Sequence, residues 1–335
     1  MGKTSKPRAG SIAYYPRVRA KTEVPRFKVF KETKIKEGVK ILNFYGYKAG
    51  MLHVMATNKH KGSALNNQRI SIPSTIVEFP SLTVFGVRFY VLKNNNKSIL
   101  KDFIFSSKAD VELKRKVKSM DKYKEKGDLL KKANELFEKN KAKLTDVVLM
   151  VHTNPKKTTI GKKKPEIVEL YLAGELDAKF DYFREKLGKG IDIDEAFEPN
   201  TFLDAKSVTI GKGFQGVIKR HGVKRRHHKS EKGVRRVGSI GPWHPAVVMW
   251  TVPRPGQMGY HTRTLYNLKL LTILNPEELK SKAGLEGYGQ IRNKVMIIAG
   301  SVGGPVKRLV TFREGMRPKT DIRLDVGAIE NIVLK

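Results

Sequence analysis

Apolar positions along this chain gather into short runs separated by Gly, Pro and polar residues. Nine of them have the β-branched and aromatic texture of strands: residues 39–47, 51–56, 72–77, 84–92, 207–210, 266–274, 295–299, 306–312 and 329–334. Many short strands with turn residues between them predict a mostly β fold, a barrel or a sandwich. Between residues 93 and 199 the pattern changes. Two strand-like runs, 147–152 and 167–172, lead into Leu176, Phe180, Phe183 and Leu187, whose spacing of four, three and four lines one face of a helix. This stretch is predicted to be an α+β domain inserted into the β domain, with the Lys-rich loop 154–165 as a solvated hairpin tip.

Two stretches follow neither period. Residues 1–31 and 211–263 are broken by Pro and Gly and sustain no apolar face. Structureless segments of that length are uncommon in a compact domain unless they serve a function. The predicted organisation is therefore a basic N-terminal extension (1–37), a β domain (38–92 and 200–335), the inserted α+β domain (93–199) and a central extension (211–263) interrupting the β domain. A chain of 335 residues is also longer than one core usually supports, so two packed units are expected.

Charge gives the two extensions a meaning. The chain holds 67 Lys and Arg against 32 Asp and Glu, a formal charge of +35. Residues 1–31 carry nine cations and one acid, residues 211–263 twelve and one, while residues 93–199 are nearly balanced with 25 cations and 19 acids. A surface so one-sided repels itself until a polyanion neutralises it, and nucleic acid is the expected partner. A membrane is not: no apolar run approaches the roughly 20 residues of a span, and the start of the chain lacks the apolar core of a signal peptide. The expected location is cytoplasmic. With no cysteine in the sequence, disulfides, Cys-based zinc sites and Cys nucleophiles are excluded, and no cofactor is expected.

Within the central extension, Gly211-Lys-Gly-Phe-Gln-Gly216 matches the G-x-G-x-x-G dinucleotide pattern and follows a predicted strand. That pattern works by aiming the N-terminus of a helix at pyrophosphate. The residues after Gly216 are too basic and aperiodic to predict such a helix, so the glycines are read as places where backbone approaches phosphate closely. An RNA-modifying or nucleotide-dependent enzyme built on this loop is the alternative reading. The five histidines of the extension, His221, His227, His228, His244 and His261, have one nearby carboxylate, Glu231, and are read as RNA contacts rather than metal ligands. Trp243 sits in Gly-Pro-Trp-His-Pro, braced by prolines, and is expected at an exposed tip; Trp250, in the apolar run 246–252, is expected in a core.

At this point the chain resembles a known family. Phe197, Asp204, Ser207, Thr209, Gly211-Lys212-Gly213, Gly216 and Arg220 reproduce the signature spacing of the universal large-subunit ribosomal protein L three, and Gly238-Ser-Ile-Gly-Pro-Trp-His-Pro and Pro255-Gly-Gln-Met-Gly259 resemble its central extension. The insertion and the Trp-His-Pro look archaeal or eukaryotic in type, and the lack of a long basic C-terminal tail points to the archaeal form. The resemblance implies a translation-protein-type β-barrel, binding to large-subunit (23S) rRNA early in assembly, and a central extension reaching toward the peptidyl-transferase centre. It implies a structural role with no catalytic residue and no homo-oligomer, beside neighbours such as ribosomal proteins L fourteen and L twenty-four-e. Eukaryotic relatives carry a modifiable His where this chain has Glu231, so that modification is not carried over. The residues expected to contact rRNA are Lys3, Lys6, Arg8, Arg17 and Arg19 in the first extension, and Lys212, Lys219, Arg220, Lys224, Arg225, Arg226, His227, His228, Lys229, Lys232, Arg235, Arg236, Trp243, His244, Arg254, Gln257, Tyr260, His261 and Arg263 in the second.

Overall fold

The structure is a computed structural model that describes residues 10–31, 38–105, 107, 111–118, 128–279, 284–317 and 326–333. In chain order its elements begin with β1 (Lys40–Ile41), β2 (Asn43–Asn58), β3 (Arg69–Glu78), β4 (Leu82–Lys93), β5 (Asn96–Ile104) and α1 (Leu129–Asn140). Then come β6 (Leu144–His152), β7 (Ile167–Leu170), β8 (Leu172–Ala173), α2 (Leu176–Lys186), β9 (Gly190–Ile191) and β10 (Phe202–Val208). The remainder is β11 (Phe214–Gln215), α3 (Val217–His221), β12 (Gly256–Gln257), β13 (Thr262–Leu274), β14 (Val295–Ala299), β15 (Leu309–Glu314) and β16 (Val326–Val333). The fold is mostly β. Two compact units result, Met1–Glu23 with Val208–Arg263 and Val24–Ser207 with Thr264–Lys335.

The larger unit is built on a seven-stranded sheet ordered β15-β10-β13-β14-β3-β2-β16, in which β15 also pairs with β2. The hydrogen-bonded path through six of these strands thus returns to its start. Leu52, Val54 and Ala56 on β2 are buried while Met51 and His53 between them are exposed, the period of two that a half-buried strand requires. Lys40 and Ile41 of the run 39–47 form β1, while its residues 43–47 and the run 51–56 turn out to be parts of this one long strand. The expected turn between them is a β-bulge, where the pairing of β2 with β3 shifts register between Lys48 and Gly50. Inside, the rings of Phe44 and Phe312 both lie within 6 Å of Phe79, at 5.8 and 5.7 Å. Gly46 makes room for that ring, since a Cβ there would stand 2.5 Å from it.

A second sheet, β5-β4-β6-β7 with β9 beside β4, carries α1 and α2. Phe180 of α2 stacks on Phe137 of α1 at 4.4 Å and meets Phe89 of β4 at 5.8 Å, so the aromatic stripe read from the sequence is this layer's core. The expected boundary at residues 92 and 93 falls at the β4–β5 hairpin, inside this sheet. Its first strand starts at Leu82, because β4 pairs with β6 from Thr83 to Val91. The loop 154–165 is not a free tip. Pro155 and Thr158 are buried, and Thr159 Oγ1 donates to Gln290 O at 2.9 Å.

The N-terminal extension divides. Residues 24–31 pack on the larger unit, where Phe27 is buried, Thr311 Oγ1 donates to Pro25 O at 2.7 Å and Lys206 Nζ donates to Arg26 O at 2.7 Å. Residues 10–23 belong to the smaller unit. Among the described residues, no helix is long and apolar enough to cross a membrane.

Candidate nucleic-acid interface

Two arms of the smaller unit, residues 208–215 and 256–263, run antiparallel. Thr209 N donates to His261 O, Lys212 N to Met258 O and Met258 N to Gly213 O, each at 2.9 Å, and β11 pairs with β12 at Phe214 and Gln257. Gly259 is required at φ +71: a Cβ there would lie 2.0 Å from Ile210 O. Because β11 pairs antiparallel, the Gly211 to Gly216 loop does not open a parallel β-α-β unit.

A helix does follow that loop, which the sequence reading did not predict. It is α3, five residues long, with Val217 and His221 buried one turn apart and Gly222 in the left-handed conformation closing it. The signal was present, but two apolar-facing positions four apart among Lys and Arg are too few to register as a period.

Arg220 on α3 sends Nε to Gln257 O at 2.9 Å and Nη1 to Arg254 O at 2.8 Å, tying the helix to the returning arm. Burial lowers its pKa from the ordinary arginine value. Arg17 in turn donates through Nη1 to Arg220 O at 3.2 Å, and Arg226 donates through Nη2 to Val237 O, closing the loop between them. Three guanidinium groups singled out as phosphate donors thus hold carbonyl oxygens, a bracing role the charge pattern could not reveal.

The segment 10–23 lies along the second arm. Ala20 N donates to Tyr260 O at 2.8 Å, Tyr260 OH to Glu23 Oε1 at 3.0 Å, and His261 Nδ1 lies 2.8 Å from Val18 O. Arg19 sits over the Tyr260 ring and Arg263 over the Tyr14 ring, at 5.2 and 4.7 Å. His261 is buried, and burial first, with Arg263, Arg17 and Arg220 nearby, lowers its pKa; its contact with Val18 O ties segment 10–23 to the second arm. His221 is likewise buried within the unit.

What remains outside is strongly cationic. Arg19, Lys21, Lys212, Lys219, Lys224, Arg225, Lys229, Lys232, Arg235, Arg236 and Arg254 are exposed, as are His227 and His228, whose rings lie 4.1 Å apart. Lys3, Lys6 and Arg8 lie outside the described residues. Across residues 1–23 and 208–263 there are eighteen cations and two acids, Glu23 and Glu231.

The tip differs again. Residues 237–253 contain no Lys, Arg, Asp or Glu, and every residue from 238 to 250 is exposed. Trp243 is 87% exposed, with His244 beside it. Trp250, expected in a core, is instead 61% exposed, with the Tyr15 ring meeting it edge-on at 5.2 Å. The apolar run 246–252 marked it as interior, but in the structure no sheet or helix packs that run into a core. Among the described residues, no three His, Asp or Glu side chains are grouped to hold a metal ion.

Comparison with known sequences bears on the whole chain. A family described as Ribosomal protein L3 matches residues 1–335. The chain is 42% identical to the large ribosomal subunit protein uL3 of Methanocaldococcus jannaschii over 94% of its own length and 92% of that protein's. It is 41% identical to the protein of the same name from Methanothermobacter thermautotrophicus, over 95% and 94% of the two chains, and 40% identical to that of Methanosphaera stadtmanae over the same shares.

Proposed function

This chain belongs to the ribosomal protein L3 family, and on that premise we propose that it is an rRNA scaffold whose smaller unit is the part that enters RNA. It is a structural constituent of the large ribosomal subunit in the cytoplasm, of archaeal kinship, and not an enzyme. The observation that carries the finer reading is the ribbon of residues 208–263 with residues 10–23, in which Arg220, Arg226 and Arg17 are held on backbone carbonyls and eleven other cations stay exposed. Phosphate contacts from such side chains position a protein on RNA, and an uncharged tip bearing Trp243 contributes shape and stacking. The tip would then reach toward the peptidyl-transferase centre. The ring of strands through β2 and β15 supports the reading of a translation-protein-type β-barrel. Ribosomal proteins such as L fourteen and L twenty-four-e are the proposed protein neighbours, with binding to 23S rRNA early in assembly.

The test is the salt dependence of binding to a large-subunit rRNA fragment. If about ten cations meet phosphates, the logarithm of affinity falls with the logarithm of salt at a slope of about −7 to −9. A slope near about −2 would overturn the reading, because so few released counterions correspond to only two or three contacts.

A further inference from the structure

The larger unit holds a cavity of about 670 Å³ that the reading above does not use. It opens between residues 27–29, Lys206 of β10, Thr264 to Asn267 of β13 and Arg313 to Arg317 at the end of β15. Among the described residues no carboxylate lines it. Arg313 is committed to the fully buried Asp204 through Nε at 3.1 Å and Nη2 at 3.0 Å. Lys28, Lys206 and Arg317 remain, so the walls are net cationic. Lys206 gives one of its three donors to Arg26 O, and burial first, then the nearby Arg313 and Lys28, lowers its pKa.

Two lining residues are not explained by charge. Tyr266, which lines the cavity, is 62% exposed, a phenol ring that the fold does not bury. Next to it Asn267 is held at φ +56, its N–H donating to Asp204 Oδ1 at 3.1 Å, and its own Oδ1 is buried with no hydrogen-bond partner among the described residues. A buried acceptor without a donor costs free energy, and an amide this close to the cavity can turn to meet a donor that arrives there. An anion-binding wall, an open aromatic face and an unmatched acceptor are together what an unstacked nucleotide needs: phosphate on cations, base on a ring, base N–H to an oxygen. An acidic peptide would use the cations and leave the ring and the acceptor unexplained.

We propose that this cavity captures a single RNA nucleotide turned out of its strand, with Lys28, Lys206 and Arg317 on its phosphate, Tyr266 stacked on its base and Asn267 reading a base N–H. The proposal rests on the RNA-binding role above. Its test uses the full-length protein and two short RNA duplexes, one fully paired and one carrying a single bulged 2-aminopurine, at fixed salt. The bulged duplex is expected to bind roughly tenfold tighter, with the probe's fluorescence quenched by stacking. Tyr266→Ala should reduce that preference to within about twofold and Tyr266→Phe should keep it, because stacking on a ring supplies the difference. Affinity for the paired duplex should be unchanged in both variants. Equal binding of the two duplexes by the wild type, or a preference that survives Tyr266→Ala, overturns the proposal. So does displacement of the bulged RNA by a poly-glutamate peptide at concentrations that leave the paired duplex bound, which would assign the cavity to an acidic protein segment. Failure of the RNA-binding reading itself would appear differently, as a shallow salt slope with both duplexes.

Discussion

The two units differ in what their inward-facing cations meet. In the larger unit Arg313 meets Asp204, Arg88 meets both Asp102 and Glu169, and Lys179 meets Asp146 at 2.7 Å with both side chains nearly buried, while Lys48 and Lys206 turn to backbone carbonyls. In the smaller unit the buried ends of Arg17, Arg220 and Arg226 meet backbone carbonyls. A carboxylate cancels a positive charge. A carbonyl satisfies the donor and leaves the charge in place. The larger unit, with 49 cations and 30 acids, cancels much of its charge from within, whereas the smaller unit, with eighteen and two, is shaped from within and left to be neutralised from outside.

The most disruptive way to break this contrast is Asp204→Ala. It strands the buried guanidinium of Arg313 and also deprives Asn267 N and Met316 N of their acceptor. Loss of a buried partner of this kind costs about 3–5 kcal/mol, expected as a drop in denaturation midpoint; a shift under about 1 kcal/mol would mean the pair is not what holds β10 to β15. Next comes Arg220→Ala, which removes two charged donors from carbonyls and should cost about 1–3 kcal/mol confined to residues 208–263. Hydrogen exchange should quicken at the arms while the larger unit stays protected. Lys219→Ala, one residue away and exposed, should leave exchange alone and remove about 0.7 to 0.9 from the salt slope. Equal behaviour of the two variants would erase the distinction between brace and contact.

A weaker effect is expected from pH. The pKa of His261 is lower folded than unfolded, so the unfolded chain takes up the proton more readily. Its contribution to stability is present above the unfolded value of about 6.5 and is lost as pH falls from there toward the folded value. His261→Gln should flatten that decline in the exchange of the arms; an unchanged decline would assign it to other groups. Smallest of all is Trp243→Ala. With 87% of the side chain in solvent, the melting temperature should not move measurably, while association with large-subunit RNA or assembly of subunits weakens. A large melting shift would mean that the indole is packed.

Much of the β framework was legible because burial concentrates β-branched and apolar residues into short runs. The run 295–299 coincides with β14, and 72–77 and 266–274 lie inside β3 and β13. A strand that is mostly exposed leaves no such run. β5, with Ile99, Leu100 and Ile104 all partly in solvent, was not predicted as a strand. Helix α1 was also missed, although Ala133 and Phe137 occupy the spacing that buries them; its alternating Lys and Glu concealed a two-residue face. In the smaller unit the charge pattern located the cations but could not separate those that brace from those that face outward, since both are Lys and Arg among Gly and Pro. That separation is made by carbonyl oxygens, which every residue carries and no sequence marks.

The strand pairing has one further consequence, for the order in which the chain can acquire its shape. Leu309 of β15 lies opposite Tyr47 of β2, and β16 pairs with β2 near the chain's other end. During synthesis from the N-terminus, β4, β5, β6 and β7 can find one another early because their partners are near in sequence. β2, by contrast, must wait with one edge open until almost the whole polypeptide has been made. An unsatisfied strand edge on a nascent chain is the feature that invites mispairing and chaperone capture. Final closure is therefore a late event with high contact order, and a chain truncated before Leu309 would keep its inserted layer while losing the ring.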